Sequence, residues 1–390
     1  MMTSRERLLR VLNGEVPDRT PITLFVTDTD IEDGPPNCVL DRRTHDTIED
    51  LIRFHEILGI DIMLRISVDV FEPIAFDRDT DDWVNAWEIS SDRKKLTHTI
   101  TTPEGRLTET FGLEGEEFHG DPSRDWMKLR NVRTQALIKD AEDLQMIKKY
   151  RPQIPDYDLG HIKHIRDRLG DRGIVLPRVP SSVFNSAFGL RKLQDLFIDP
   201  LLNPDLYRQL MEFCANDVIE VGKAVAQAGG DVMRIVGNVA NSGMVGGSFY
   251  LDHIFPYEKR YIDALASDGI KVLFHNCGQC AALLEVYREM LDGQALESLS
   301  TAGSGGDITS LRSARDTLGD RVVMVGNFDQ VHLLRQGTKD EITAEVRKIF
   351  EETMGDQRFI FSTSDSIVPG TPKENIETLV AAALQCAQRS

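Results

Sequence analysis

The stretch Lys271-Val-Leu-Phe-His275-Asn-Cys277-Gly278 decides how this chain is read. Its apolar run predicts a buried strand that gives way at Gly278. Side chains alternate faces along a strand, so His275 and Cys277, two positions apart, point the same way. An imidazole and a thiolate converging at a strand end suit Zn²⁺, which takes N and S ligands at about 2.0–2.3 Å. On spacing alone, a core histidine beside an inert buried thiol is an equal alternative. One strand cannot complete a metal site, so its partners must come from elsewhere in the chain.

Working outward, similar short apolar runs recur at 21–26, 60–66, 174–179, 232–236, 272–274, 295–299, 322–325 and 359–361. Helical patterns separate most of them, at 47–58, 204–228, 251–267, 280–291, 310–318, 339–353 and 372–386. Buried strands alternating with helices predict an α/β fold, a single (β/α)8 TIM barrel spanning residues 1–390. A doubly wound sheet alternates in a similar way, but no Gly-rich loop of dinucleotide type follows any of these strands. An amphipathic helix comes first. Thr3 and Glu6 fit a capping box, Leu8, Leu9, Val11 and Leu12 supply its apolar side, and Asn13-Gly14 stop it. From Trp87 to Phe111 the pattern switches to period two around Pro103-Glu104-Gly105, which predicts an inserted β-hairpin near residues 87–111.

Composition mainly excludes. A net charge of −18, from 45 Lys+Arg against 63 Asp+Glu, argues against nucleic acid and anionic membranes, because phosphate binding needs basic surface. No apolar run reaches membrane-spanning length, and Met1-Met-Thr-Ser-Arg-Glu-Arg7 lacks the core of a signal peptide. Five cysteines in 390 residues make no disulfide framework, so a reducing cytoplasm is expected. Cys38, Cys214 and Cys386 read as buried small hydrophobes.

In a barrel, chemistry collects where strands end and loops begin. Those ends carry Thr27 and Asp28, Arg65, Arg178, Asn238 and Asn241, His275 and Cys277, Glu297, Asn327 and Asp329, and Ser362 to Asp365. Three residues are candidates to complete a metal site: Asp365, Glu297 and Cys280. Cys280 makes Cys277-Gly-Gln-Cys280 a C-x-x-C, which chelates zinc or works as a redox pair, or else opens the next helix and packs. Glu297 is also a candidate substrate contact. Arg178 reads as a carboxylate receptor or as the partner of an internal acid. Asn238 and Asn241 read as substrate contacts or as turn caps.

Four stretches together carry a family resemblance. They are Ser4-Arg-Glu-Arg-Leu-Leu-Arg-Val-Leu-Asn-Gly14 with Pro17-Asp-Arg-Thr-Pro21; Phe274-His-Asn-Cys-Gly278; Val325-Gly-Asn-Phe-Asp329 with Gly337-Thr338; and Phe359-Ile-Phe-Ser-Thr363 with Thr371-Pro-Lys-Glu-Asn375. In that order they resemble the uroporphyrinogen decarboxylase superfamily, whose members fold as one (β/α)8 barrel. Its decarboxylases use no metal and carry an Arg-rich N-terminal motif, whereas Thr23-Leu-Phe-Val-Thr-Asp-Thr-Asp30 has no arginine. The chain is more similar to the zinc-dependent, corrinoid-linked methyltransferases, whose motif is H-x-C with a distant cysteine near the last strand. His275 and Cys277 match it, and Asp365 stands where the distant cysteine is expected.

The resemblance therefore implies zinc held by His275, Cys277 and Asp365. It also implies a small methyl donor or acceptor, and a corrinoid (cobalamin) supplied by a separate partner protein, since no D-x-H-x-x-G motif occurs here. A carboxylate in place of a thiolate leaves the metal more electrophilic, which favours an oxygen substrate such as an aryl methyl ether, as in O-demethylation. A metal-independent decarboxylase and a non-catalytic binding barrel are the alternatives. A homodimer is left open.

Overall fold

Alternating strands and helices dominate the computed structural model, which describes residues 2–28, 39, 40, 44, 46–67, 79–112, 133–152, 159–179 and 181–388. The chain divides into two compact units. One comprises Met1–Val68, Asp158–Ser182 and Ile219–Ser390, the other Asp69–Tyr157 and Val183–Val218.

The larger unit is built on parallel strands: β1 (Ile62–Ile66), β6 (Gly173–Pro177), β7 (Val232–Val236), β8 (Lys271–His275), β9 (Ala295–Ser298), β10 (Val323–Phe328) and β11 (Phe359–Thr363). β1 pairs with β6, and β7 to β11 pair in sequence order. Parallel strands covered on both faces must be apolar throughout, and these are buried along nearly their whole length. Isolated parallel bridges join Ile22 to Phe361, Thr27 to Arg65 and Arg178 to Arg234. The fold is α/β and of TIM-barrel class. Met63, Ile174, Leu176, Val232, Leu273, Val325 and Ile360, one or more from most of these strands, form its central core.

Residues 21–26 form no full ladder. Thr23 donates to the Phe361 carbonyl at 2.9 Å, but the Phe25 amide turns to the Thr363 hydroxyl at 3.1 Å. A side chain thus takes the place of the ladder's next backbone acceptor. Helix α1 (Ser4–Asn13) carries the full Thr3–Glu6 capping box and ends at Gly14 with φ 74°. Over 280–291 one continuous helix is replaced by a 3₁₀ turn at Ala281–Leu283 and then a helix at Leu284–Met290.

The smaller unit contains four antiparallel strands, β2 (Val84–Ile89), β3 (Lys95–Thr102), β4 (Gly105–Gly112) and β5 (Arg133–Gln135), in that order. Along β3 every second residue is buried, the period of a sheet with one covered face. Leu96 and Phe111 make a small core of their own with Trp87 and Ile89. No helix among the described residues is long and apolar enough to cross a membrane. Cys214 is buried and Cys386, in the last turn of its helix, is only half-buried; Cys38 lies outside the described residues.

Candidate metal centre

His275 closes β8, and Cys277 follows where Gly278 turns the chain at φ 95°, a conformation that favours glycine. Asp365 follows β11, held in place through Ser364, whose amide donates to the Phe328 carbonyl at 2.9 Å. One ligand atom from each of His275, Cys277 and Asp365 lies within 4.8 Å of the others. No other group of three or more His, Cys, Asp or Glu among the described residues is so arranged.

The donor set is nitrogen, sulfur and oxygen, all accepted by Zn²⁺. Ligand atoms of a tetrahedral zinc stand roughly 3.5 Å apart, given bonds of about 2.0–2.3 Å. His275 Nε2 and Asp365 Oδ2 are 4.0 Å apart, so a small contraction would seat the ion. Three protein ligands leave a fourth position open, as in catalytic rather than structural zinc sites.

The tautomer follows from what lies behind the ring. His275 Nδ1 is 3.1 Å from Glu297 Oε2 and 3.1 Å from the Ser298 hydroxyl. An ionised carboxylate only accepts, so Nδ1 carries the proton and donates it to Glu297. That leaves the Nε2 lone pair on the side of Asp365, the arrangement in which a carboxylate orients a metal-binding histidine.

Glu297 can serve as that anchor because it stays charged. Burial alone works against ionisation, but Arg65 and Arg234, with His275, outweigh it and hold the carboxyl well below the usual carboxylate range. Arg65 donates to Oε1 through Nε at 2.9 Å and Nη2 at 2.6 Å, and Arg234 Nε donates to Oε2 at 3.0 Å. Both guanidinium groups lie over Phe25, 4.6 and 4.8 Å from its ring centre. The His275 ring packs against the same Phe25 at 5.3 Å.

The Cys277 thiol behaves oppositely. Burial, together with the nearby Asp365 carboxylate, pushes it up to about 12, so without a cation it stays protonated at neutral pH. A divalent ion between the two reverses that preference, because a coordinated thiol is deprotonated.

Other candidates occupy different roles. Glu297 is fully buried behind the imidazole, its oxygens turned to Arg65, Arg234 and His275. Cys280 is buried and stands outside the three-donor group; its amide and that of Ala281 donate to Asp307 Oδ1 at 2.8 and 2.9 Å, which starts the next turn. Asn238 Oδ1 accepts from the Cys277 amide at 3.4 Å and so orders the His-x-Cys turn. Asn241 caps, accepting from the Gly243 and Met244 amides. Arg178 is half-buried and pairs through its backbone, donating to Ile66 at 2.8 Å. Asn327 ties the turn after β9 by donating to the Leu299 carbonyl at 3.0 Å.

Arg234 and Ser298 join the site without having stood among the sequence candidates. The signal for Arg234 is present in Val232-Met-Arg234-Ile-Val236, because a charge inside a buried strand must find a partner. At the opposite ends of β10 and β11 lies a polar cavity of about 610 Å³, bordered by Arg315, Arg321, Asp356 and Arg358. Arg315 is fully engaged there, donating to Asp356 and to the Gly319, Val322 and Arg358 carbonyls.

A family model described as uroporphyrinogen decarboxylase (URO-D) matches residues 131–385. Methylcobamide:CoM methyltransferase MtbA of Methanosarcina mazei is 26% identical over 251 residues, 63% of this chain and 69% of that protein. Uroporphyrinogen decarboxylase of Syntrophotalea carbinolica is 33% identical over 178 residues, 45% of this chain and 48% of that protein. A solved methyltransferase structure from Methanosarcina mazei superposes with a TM-score of 0.63 at 20% identity, covering 99% of both chains, which establishes a shared fold.

Proposed function

Since the chain belongs to the uroporphyrinogen decarboxylase family, we propose that it is a methyltransferase rather than a decarboxylase. It moves a methyl group between a small donor or acceptor and the corrinoid cobalt of a separate partner protein. His275, Cys277 and Asp365 hold Zn²⁺ beside the substrate. The observation that carries this reading is the convergence of those three ligand atoms within 4.8 Å. Relatives named as methylcobamide:CoM methyltransferases support the kind of reaction. The bridges at Ile22, Thr27 and Arg178 support reading the strands as one closed ring, with these residues at its rim.

When bound, zinc supplies Lewis-acid activation of the substrate heteroatom. The chain's own residues do the rest. Glu297 fixes the His275 tautomer, Asn238 and Gly278 fix the turn that presents Cys277, and Ser364 fixes Asp365. Asp365 in place of a third soft ligand favours an oxygen substrate, and an aryl methyl ether is the donor proposed. In that direction the methyl–oxygen bond breaks with its electron pair left on oxygen, and the Co(I) of the partner's corrinoid, the second substrate, supplies the electron pair of the new methyl–cobalt bond and ends as Co(III).

Elemental analysis of purified protein tests this directly. About one zinc per chain is expected, lost in Cys277→Ala and in Asp365→Ala while the fold persists. Full methyl transfer by protein stripped of metal would overturn it. The decarboxylase reading draws on the relatives of that name, one of them 33% identical, and predicts carbon dioxide release without metal.

A further inference from the structure

We propose that Arg234 is the substrate-recognition residue of this site, and that it takes a carboxylate on the small substrate. This rests on the reading of the site as a substrate site. The Arg234 side chain is 93% buried by its 7% exposure, yet only Nε has an acceptor, Glu297 Oε2 at 3.0 Å. Nη1 and Nη2 have no hydrogen-bond partner among the described residues. Neither nitrogen is sealed from solvent, so this edge faces space in which a ligand's oxygens can replace water.

The neighbouring Arg65 makes the contrast. Its Nε and Nη2 reach Glu297 and its Nη1 reaches the Leu24 carbonyl at 3.2 Å, so its donors are engaged. Those of Arg234 are not. Arg234 adjoins the candidate metal centre, since Glu297 Oε2 accepts from it and from His275, at 3.0 and 3.1 Å.

Charge points the same way. With Asp365 and the Cys277 thiolate committed to a dication, two guanidinium groups against the one carboxylate of Glu297 leave an unbalanced positive charge. An anion would cancel it. The Nη1–Nη2 edge is a flat pair of parallel donors, which matches the two oxygens of a carboxylate. Phe25 covers one face of the guanidinium and leaves this in-plane edge uncovered by the ring.

The test uses the full chain as purified and calorimetric binding of benzoate, benzyl alcohol and benzenesulfonate, with zinc content measured on the same samples. Benzoate is expected to bind about tenfold or more tightly than benzyl alcohol, the gain of one charge-assisted pair. Arg234→Gln should bring that ratio to about one, and Arg234→Lys should restore part of it. Arg168→Gln, at the surface beside Asp46 and Glu49, serves as the control and should keep the benzoate preference. Equal binding of benzoate and benzyl alcohol by the natural protein, or a preference that survives Arg234→Gln, would overturn the clamp. Benzenesulfonate binding as tightly as benzoate would overturn the carboxylate assignment. Because these probes need no metal, absence of zinc from the same samples would sink the methyltransferase reading and leave the role of Arg234 decided by the binding ratios alone.

Discussion

Asp61 and Glu297 are the same device used twice, a fully buried carboxylate between two arginines. Asp61, at the start of β1, takes Arg7 at 2.6 Å, Arg19 at 2.9 Å and the Ile22 amide at 3.0 Å. Arg7 is then completed by Asp18 and the Met2 carbonyl. Around Glu297 the third partner is a histidine ring, and one arginine keeps two nitrogens in reserve. The first cluster closes on itself and holds α1 to the barrel. The second is left incomplete beside converging metal donors. Satisfied polar groups read as scaffold; donors left without a protein acceptor beside a candidate site read as function.

Removing the central acid breaks the comparison hardest. Glu297→Ala should cost about 3–5 kcal/mol by denaturant unfolding, since it strands two buried guanidinium groups, and Asp61→Ala less, since Arg7 keeps Asp18 and Arg19 keeps the Thr20 carbonyl. Only Glu297→Ala should also weaken zinc binding, by about 10–100-fold in a chelator competition. Equal zinc affinity in the two variants would erase the distinction drawn here.

Acid separates His55, which packs near Arg65, from Asp18, which holds Arg7. Burial pushes His55 down from 6.5 to about 4, with the Leu51 carbonyl opposing and Arg65 reinforcing. The unfolded chain therefore takes up this proton before the folded one does. The His55 contribution is complete above pH 6.5 and lost as pH falls towards 4, about 3 kcal/mol in all. Asp18, held down to about 2 by its hydrogen bond with Arg7, contributes above pH 3.8 and fades only below that. Unfolding midpoints measured from pH 8 to 4.5 should show the first loss and not the second, and His55→Gln should flatten it.

Exchanging a ligand sharpens the contrast from the other side. Asp365→Asn should lower zinc affinity by about tenfold or more while changing stability little, because the carboxylate is one-third exposed. The smallest effect is expected at the surface, where Arg168 pairs with Asp46 and Glu49 at 2.6 Å. Arg168→Ala should cost under about 1 kcal/mol and leave metal binding unchanged.

Much of this molecule is legible from local pattern. The α1 capping box, the buried strands and the shared face of His275 and Cys277 each depend on residues a few positions apart. The strand expected at 21–26 falls short of a full ladder, because the Thr363 hydroxyl that draws off the Phe25 amide is 338 residues away. Arg234 stands out by its charge within an apolar strand, but nothing near it in sequence names its partner.

By itself, then, the sequence determined which segments become strands and helices and which two donors share a strand end, since periodicity and capping act within a few residues. Tertiary structure decided among the three candidates, bringing Asp365, and not Glu297 or Cys280, within 4.8 Å of the other two donors. It also decided that Glu297 stands behind His275 and not before it, and that Arg234 is left with nitrogens to spare. The reason is register. His275 faces Glu297 only because β8 and β9 pair as they do, and Arg65 meets Glu297 across 232 residues of chain. No local pattern encodes which distant strand end arrives beside which.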